Sequence, residues 1–286
     1  MTWLQAMVLA VLQGTSELFP VSSLGHTVLV PALLHWQVDR SAPTFLSFVV
    51  ALHFGTAVAL ILFYLGDWGR IVRALVASIM RGNLSRDPDE RLGWLLIIGT
   101  VPVALLGVFL EGPVREFFAS SALVAGFLIA NGFVMFAGEA LRRRTLAGAG
   151  GIVLRPLPEL PWSGGARVGL AQAAALLPGI SRSGASIVAA LLLRLTHEDA
   201  ARYSFLLATP VIFAASVLEL PRLFATGSGV ALEQSVVGAL LAAITAYVSV
   251  AFLTRWFRAH DLRPFGWYCL IFGSVCLALA LTKVIA

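Results

Sequence analysis

Charged residues are scarce in this sequence of 286 residues. Only 12% are Asp, Glu, Lys or Arg, whereas 59% are hydrophobic, and the mean hydropathy is +0.89. A water-soluble domain cannot bury so large a share of apolar side chains. The composition therefore excludes an ordinary soluble protein and predicts a chain that crosses a membrane several times.

Cysteine is also scarce, with Cys269 and Cys276 in one apolar run. On a helix they would be about 10.5 Å apart along the axis, which is too far for a disulfide. The first ten residues, MTWLQAMVLA, lack the basic segment of a signal peptide, and no small-residue cleavage site follows them. We therefore expect no disulfide, and we expect these residues to belong to the folded protein.

The formal net charge is +5, but the basic residues lie in loops between apolar runs and form no continuous face for a nucleic acid. Loops rich in Lys and Arg stay in the cytoplasm. Four loops, at 66 to 91, 142 to 167, 194 to 202 and 255 to 263, hold fifteen bases: Arg70, Arg73, Arg81, Arg86, Arg91, Arg142, Arg143, Arg144, Arg155, Arg167, Arg194, Arg202, Arg255, Arg258 and Arg263. The opposite side holds four: Arg40, Arg115, Arg222 and Lys283. This bias predicts that both termini lie outside and excludes a nucleic-acid partner.

The apolar runs predict an all-α polytopic membrane protein made of two similar halves. Each half begins with a hairpin broken by a polar tip, at 2 to 34 and at 165 to 194. In the first hairpin a helix at 2 to 19, about 27 Å long and nearly a membrane thickness, precedes a helix at 24 to 34 that is too short to span. Three spans follow in each half, at about 42 to 65, 91 to 111, 120 to 141, 199 to 220, 231 to 254 and 264 to 285. An odd number of spans inverts the second half relative to the first. We therefore predict one membrane domain with inverted pseudo-repeats at 1–145 and 160–286.

The two polar tips resemble each other at a fixed offset of 159 residues. The first is QGTSELFPVSSLGH, from Gln13, and the second is QAAALLPGISRSGAS, from Gln172. At this offset Gln13 matches Gln172, Ser22 matches Ser181 and Gly25 matches Gly184. In an inverted repeat the first hairpin enters from outside and the second from the cytoplasm, so the tips meet inside the membrane. Irregular backbone is tolerated there only around a polar cavity.

The tips carry Glu17 and Arg182, the two charges that the predicted spans place well inside the membrane. An intramembrane charge costs roughly 2.5 to 3.5 kcal/mol on insertion scales, so each is a candidate functional residue, although a simple buried ion pair is the alternative. The second tip adds hydroxyls and a glycine at the start of a helix, where backbone N–H groups and a guanidinium bind phosphate. The predicted phosphate-binding residues are Ser22, Ser181, Arg182, Ser183, Gly184 and Ser186.

The first tip supplies the groups that phosphate hydrolysis requires. Ser22 and Ser23 are candidate nucleophiles, His26 is a candidate for proton transfer, and Glu17 with Gln13 could orient His26 or hold a divalent cation. Ser23 is preferred, because it lies three residues before His26 and both would share one helix face. His53, in an apolar span, is interpreted as an ordinary core histidine.

The motifs QGTSE, PVSSLGH and PGISRSGAS resemble those of the bacterial undecaprenyl-pyrophosphate phosphatases, the bacitracin-resistance proteins, and the resemblance extends over essentially the whole chain. It implies removal of the terminal phosphate of a polyprenyl pyrophosphate lipid at the outer side of the inner membrane, with Mg²⁺ or Ca²⁺ as cofactor. The catalytic roles of that family would fall on Gln13, Glu17, Ser23, His26, Ser181 and Arg182. Gln13 stands where glutamate is also common, which weakens a two-carboxylate metal site, and Ser186 stands where threonine is usual.

Three alternatives stay open at the level of sequence. An inverted repeat is also transporter architecture, so a transporter or flippase of a phosphorylated lipid is the second candidate. A lipid phosphatase with a histidine nucleophile is the third, although His197 and Asp199 lie in a loop outside the tips. Within the serine mechanism, a water molecule activated by a metal or by Glu17 could replace Ser23 as nucleophile. The sequence also leaves open whether the protein forms a homodimer.

Overall fold

A computed structural model describes residues 1–39, 42–115, 120–148, 154–226 and 229–285 of the chain. These residues form eleven α-helices, which confirms the all-α fold class. The helices are α1 (Trp3–Ser16), α2 (Ser23–Leu33), α3 (Pro43–Phe63), α4 (Leu65–Arg81), α5 (Pro88–Arg115), α6 (Ser121–Gly148), α7 (Trp162–Gln172), α8 (Arg182–Leu192), α9 (His197–Thr226), α10 (Gly229–Trp256) and α11 (Arg263–Leu281).

Six of the described helices are long and apolar enough to cross a membrane, which confirms the predicted number of spans. The candidate spans are Thr44–Phe63, Pro88–Gly107, Ser121–Thr145, His197–Val217, Gly229–Trp256 and Arg263–Leu281. Their outer surfaces carry many exposed large hydrophobic side chains, as expected of helices whose solvent is lipid. The chain is therefore a multi-pass membrane protein.

Two pairs of short helices form the predicted hairpins. Helix α1 ends at Ser16, three residues earlier than expected, and α2 begins at Ser23. Proline at position 20 disfavours helical backbone at Phe19 and cannot continue a helix, so the chain turns before it reaches the proline. The second hairpin consists of α7, a short 3₁₀ turn at Ala173–Leu176, and α8.

The hairpins pack on the other half of the chain. Helix α1 lies against α10, and α7 lies against α5. Glycines allow this close approach, because a Cβ on Gly14 would lie 2.3 Å from the carbonyl oxygen of Ala242, and one on Gly169 would lie 2.2 Å from that of Gly99. This exchange of partners is consistent with an inverted repeat, although the pseudo-repeats 1–145 and 160–286 themselves stay a prediction.

The charged segment after the first span is a helix and not the loop that the sequence predicted. Helix α4 buries Ile71, Ala74 and Ser78, and it is capped after Arg81 by Gly82, which has a left-handed φ of 66°. The charged residues of α4 made the segment look like a loop in the sequence, but in the structure they lie on the exposed faces of the helix or in ion pairs. Asp67, for example, accepts a hydrogen bond from Arg202 of α9 at 2.9 Å.

The structure brings the predicted basic loops together at one end of the bundle. Arg143 at the end of α6 pairs with Asp261, between α10 and α11, at 3.4 Å. The backbone N–H of Arg155 donates to the carbonyl of Arg194 at 3.0 Å. Arg40 and the side chains of Arg115 and Arg222 lie outside the described residues. The side of the membrane on which the basic end lies is a prediction from loop charge.

Cysteine labelling tests this orientation, because Cys269 and Cys276 are buried. We expect Gln37→Cys, exposed beyond α2, to react with an impermeant maleimide in intact cells. Arg86→Cys, exposed between α4 and α5, should react only after permeabilisation. Labelling of both positions from the same side would contradict the predicted orientation.

Candidate active site

The first hairpin tip holds two serines at the start of α2. Ser22 is the N-cap of this helix, with a φ of 67°, and its Oγ accepts a hydrogen bond from the backbone N–H of Gly25 at 3.3 Å. A positive φ is costly for a residue other than glycine and is typical of functional loops. The turn places Ser23 at the first position of α2, facing Glu17 at the end of α1.

The second tip has the same capping pattern. Ser181 is the N-cap of α8, and its Oγ accepts from the backbone N–H of Gly184 at 3.2 Å. Gly179, just before it, has a φ of 115°, and a Cβ there would lie 2.4 Å from the carbonyl oxygen of Val124 in α6. Only glycine fits both this conformation and this close approach. The second tip is therefore held firmly against α6.

Asn131 of α6 ties the two tips to each other. Its side-chain amide donates to the carbonyl of Pro20 at 2.9 Å, and its Oδ1 accepts from the backbone N–H of Ser181 at 3.0 Å. The Ser183 hydroxyl adds a bond to the carbonyl of Phe19 at 3.1 Å. Unpaired backbone polar groups are expensive inside a membrane, so these bonds fix where the tips meet.

The Glu17 carboxylate is the centre of the cluster between the tips. Its Oε2 accepts hydrogen bonds from the Ser23 hydroxyl and, at 2.9 Å, from the side-chain amide of Gln13. Its Oε1 accepts from Nη2 of Arg182 at 2.9 Å. Nε2 of His53 lies 3.4 Å from Oε2. One carboxylate thus binds side chains from α1, α2, α3 and α8.

A cavity of about 370 Å³ opens beside this cluster. Its polar wall consists of Glu17, Ser22, Ser23, His53, Ser181, Arg182 and Ser216. The rest of the wall is apolar, formed by Leu24, Val49, Val50, Ala175, Ile180, Val211, Ile212 and Ala215. The cavity therefore presents one charged end and one hydrocarbon surface, as a lipid with a phosphorylated head requires.

The structure brings together some of the predicted site residues and leaves others aside. Ser186 donates to the carbonyl of Arg182 at 2.8 Å and pairs with the Ser204 hydroxyl at 2.6 Å. Ser183 and the N–H of Gly184 are likewise used in bonds within and between the tips. None of these three residues lines the described cavity. They support the tip, and their predicted contact with phosphate stays a prediction.

His26 does not make the expected contact with Ser23 or Glu17. Its Nδ1 lies 2.7 Å from the carbonyl oxygen of Ser22, and its Nε2 lies 2.7 Å from the Tyr268 hydroxyl. A carbonyl only accepts, so Nδ1 carries the proton and Nε2 accepts from Tyr268. The ring also stacks on Phe272 with 5.2 Å between centroids. The prediction that Glu17 orients His26 is wrong, because α11 holds the imidazole.

His53 is the site residue that the sequence interpretation missed. Its Nδ1 lies 2.8 Å from the carbonyl oxygen of Val49, so this nitrogen carries a proton, and Nε2 faces the Glu17 carboxylate. The Glu17 carboxylate accepts hydrogen bonds only, so Nε2 must also carry a proton for this contact to be attractive. The missed signal was the position of His53 itself, because ionisable residues inside a span are generally functional.

The residues around Glu17 are suited to a cation only in part. The described residues contain no group of three or more His, Cys, Asp or Glu side chains that could hold a metal. However, the side-chain oxygen Oε1 of Gln13 is buried without a hydrogen-bond partner. With Glu17 it offers oxygen ligands of the kind that Mg²⁺ and Ca²⁺ prefer. Mg²⁺ commonly uses one or two carboxylates together with substrate phosphates, so these residues fit a cation that binds with a phosphate.

Known proteins resemble this chain over nearly its whole length. The chain matches the family described as bacitracin resistance protein BacA over residues 6–275. It is 45% identical to an undecaprenyl-diphosphatase of Acidiphilium cryptum, with 98% of each chain covered. It is 44% identical to undecaprenyl-diphosphatase 2 of Chromobacterium violaceum, covering 97% of this chain and 98% of the relative. The chain therefore belongs to the bacitracin resistance protein BacA family.

Proposed function

We propose that this protein hydrolyses undecaprenyl pyrophosphate to undecaprenyl phosphate and inorganic phosphate, the reaction for which its relatives are named. The reaction would regenerate a lipid carrier for cell-wall polymers and confer resistance to bacitracin. The hydrogen bond from the Ser23 hydroxyl to the Glu17 carboxylate carries this proposal. A transporter or flippase would need Arg182 to bind phosphate, but it would not need a hydroxyl paired with a base.

The phosphate end of the substrate would bind at Arg182. This residue begins α8, where the partial positive charge of a helix N-terminus adds to the guanidinium. Its Nη2 contacts Glu17, and four further N–H donors of the side chain can grip phosphate oxygens. The polyprenyl tail would follow the apolar wall formed by Val49, Val211 and Ile212.

In the proposed reaction, Ser23 Oγ attacks the terminal phosphorus and its proton passes to Glu17. The bond between that phosphorus and the bridging oxygen breaks, and the proton leaves with undecaprenyl phosphate. Water then hydrolyses the phosphoserine, which releases inorganic phosphate and restores the hydroxyl. The sequence analysis expected His26 to be the base. In this proposal the base is Glu17, because its carboxylate accepts a hydrogen bond from the Ser23 hydroxyl. The participation of His26 stays a prediction.

Gln13 and Glu17 would hold the cation that the family resemblance implies. When bound, Mg²⁺ or Ca²⁺ would neutralise charge on the pyrophosphate. We place the protein in the bacterial inner membrane, with the site open to the outer side, because the basic loops favour the cytoplasm. Loop charge supports this location.

Replacing Arg182 by lysine tests phosphate binding. A compact ammonium cannot reproduce the two-pronged grip of a guanidinium, so we expect a loss of roughly a hundred- to a thousandfold in kcat/KM for phosphate release. Arg73→Lys, on the exposed side of α4, is the matched control and should retain full activity. Hydrolysis by Arg182→Lys within about threefold of the parent would leave Arg182 as a counter-ion of Glu17.

Replacing Ser23 by alanine distinguishes a nucleophile from a hydrogen-bond donor. A lost nucleophile abolishes turnover, whereas a lost hydrogen bond to a charged group costs about 1.5 to 3 kcal/mol, roughly ten- to a hundredfold in rate. Rapid quenching of the parent should trap phosphoserine at position 23. Ser22→Ala is the control, because it removes a helix cap worth about 1 kcal/mol of stability but leaves the intermediate. Residual turnover by Ser23→Ala without trapped phosphoserine would assign the attack to water.

Replacing His53 tests whether this residue positions Glu17. Glutamine can donate one hydrogen bond to the carboxylate as the imidazole does, whereas leucine cannot. We therefore expect His53→Leu to lose roughly ten- to a hundredfold in kcat with little change in KM, and His53→Gln to retain most activity. Full activity of both variants would contradict this role and support the interpretation of His53 as a core residue. An equal loss in both would mean that His53 transfers a proton.

A further inference from the structure

A second and larger cavity, of about 890 Å³, lies at the end of the bundle where the basic loops meet. It is bounded by the end of α6, the beginning of α9 and the connection from α10 to α11. Its lining includes the charged residues Arg142, Glu198, Arg258, Asp261 and Arg263 and the aromatic Trp267. It shares no lining residue with the cavity at Glu17.

The two carboxylates of this cavity are already paired. Asp261 accepts from Arg263 at 2.7 Å and lies 3.4 Å from Arg143. Glu198 pairs with Arg258 at 3.0 Å. Neither carboxylate is therefore free to neutralise another cation in the cavity.

Arg142 is the cation left over. Its side chain lines the cavity, and its Nε is buried without a hydrogen-bond partner. The described residues supply no ion pair for this guanidinium, so its outer N–H groups, which are not buried, can donate to an anion in the cavity. The planar fork of a guanidinium matches the oxygens of phosphate. The unpaired guanidinium therefore points to a phosphate-bearing ligand.

The position of the cavity favours a lipid over a soluble ion. Trp256 ends one candidate span and Trp267 lies near the beginning of another, at the level where tryptophan meets lipid head groups. Trp267 is 58% exposed, and Ile271 and Val275 continue its exposed face along α11. An acyl chain can lie along this apolar face while its head group enters the cavity.

We propose that this cavity binds the phosphate of an anionic phospholipid from the membrane leaflet on the basic side of the protein. Arg142 holds the phosphate oxygens, and Trp267 covers the glycerol backbone. Basic pockets between membrane helices bind anionic head groups in this way. The site is separate from the hydrolysis proposed above and does not depend on it.

Native mass spectrometry of the full chain in detergent tests the proposal with palmitoyl-oleoyl phosphatidylglycerol as the probe. We expect Arg142→Gln to raise the Kd for this lipid by roughly ten- to a hundredfold, the cost of losing a charge-assisted hydrogen bond. Arg142→Lys should give an intermediate value, because it keeps the charge but not the fork. Arg144→Gln is the matched control, since Arg144 is exposed on the same helix and does not line the cavity. A melting temperature equal to that of the parent verifies that each variant is folded.

Competition with inorganic phosphate distinguishes a phospholipid head group from a free phosphate ion as the ligand. Two results together support the lipid site: millimolar phosphate fails to displace the lipid, and Arg142→Gln weakens lipid binding whereas Arg144→Gln does not. Displacement by phosphate with the same dependence on Arg142 would assign the cavity to a soluble phosphate and overturn the lipid. Equal Kd values for the parent, Arg142→Gln and Arg144→Gln would overturn the site altogether.

Discussion

The structure depends on one buried carboxylate, Glu17, and on the donors that surround it. A charge inside a membrane must be compensated, and here the compensation comes from side chains on four helices. Arg182 reaches Glu17 from the second hairpin, and Ser23 reaches it from the first. The contact between the two hairpin tips is therefore also the place where we propose that the reaction occurs. A change that removes Glu17 would leave Arg182 unpaired between the hairpins and disturb the site.

The scaffold around this carboxylate explains why the hairpins are broken where they are. Asn131 satisfies backbone groups of both tips, and Gly179 lets the second tip touch α6. The halves have not kept equal roles. Gln13 bonds to Glu17, whereas its counterpart Gln172 donates to the carbonyl of Gly99 at 3.0 Å. The two similar tips thus differ: the first carries Glu17 and Ser23, and the second adds Arg182 and serines that bond to the backbone of the first.

Hydrophobic run length and tip composition predicted the six spans, the two hairpins and the meeting of Glu17 with Arg182. These features follow from the cost of placing polar groups in lipid, which a sequence displays directly. Helix α4 was missed because its charges resemble those of a loop, and the buried stripe Ile71, Ala74 and Ser78 is narrow. His26 was expected beside Ser23 and Glu17 but contacts Tyr268, and His53 was interpreted as a core residue but faces Glu17. Their partners depend on how α11 and α3 pack beside the tips, and spacing within one helix does not contain that information.

The hydrocarbon wall of the cavity beside Glu17 has a consequence for selectivity. A free pyrophosphate ion could contact Arg182, but Val211 and Ile212 would then remain covered only by water. Hiding apolar surface from water is worth about 25 cal/mol per Å², a gain that only a substrate with a hydrocarbon tail can collect. Free pyrophosphate and soluble nucleotides have no such tail, so this wall favours a lipid pyrophosphate over them.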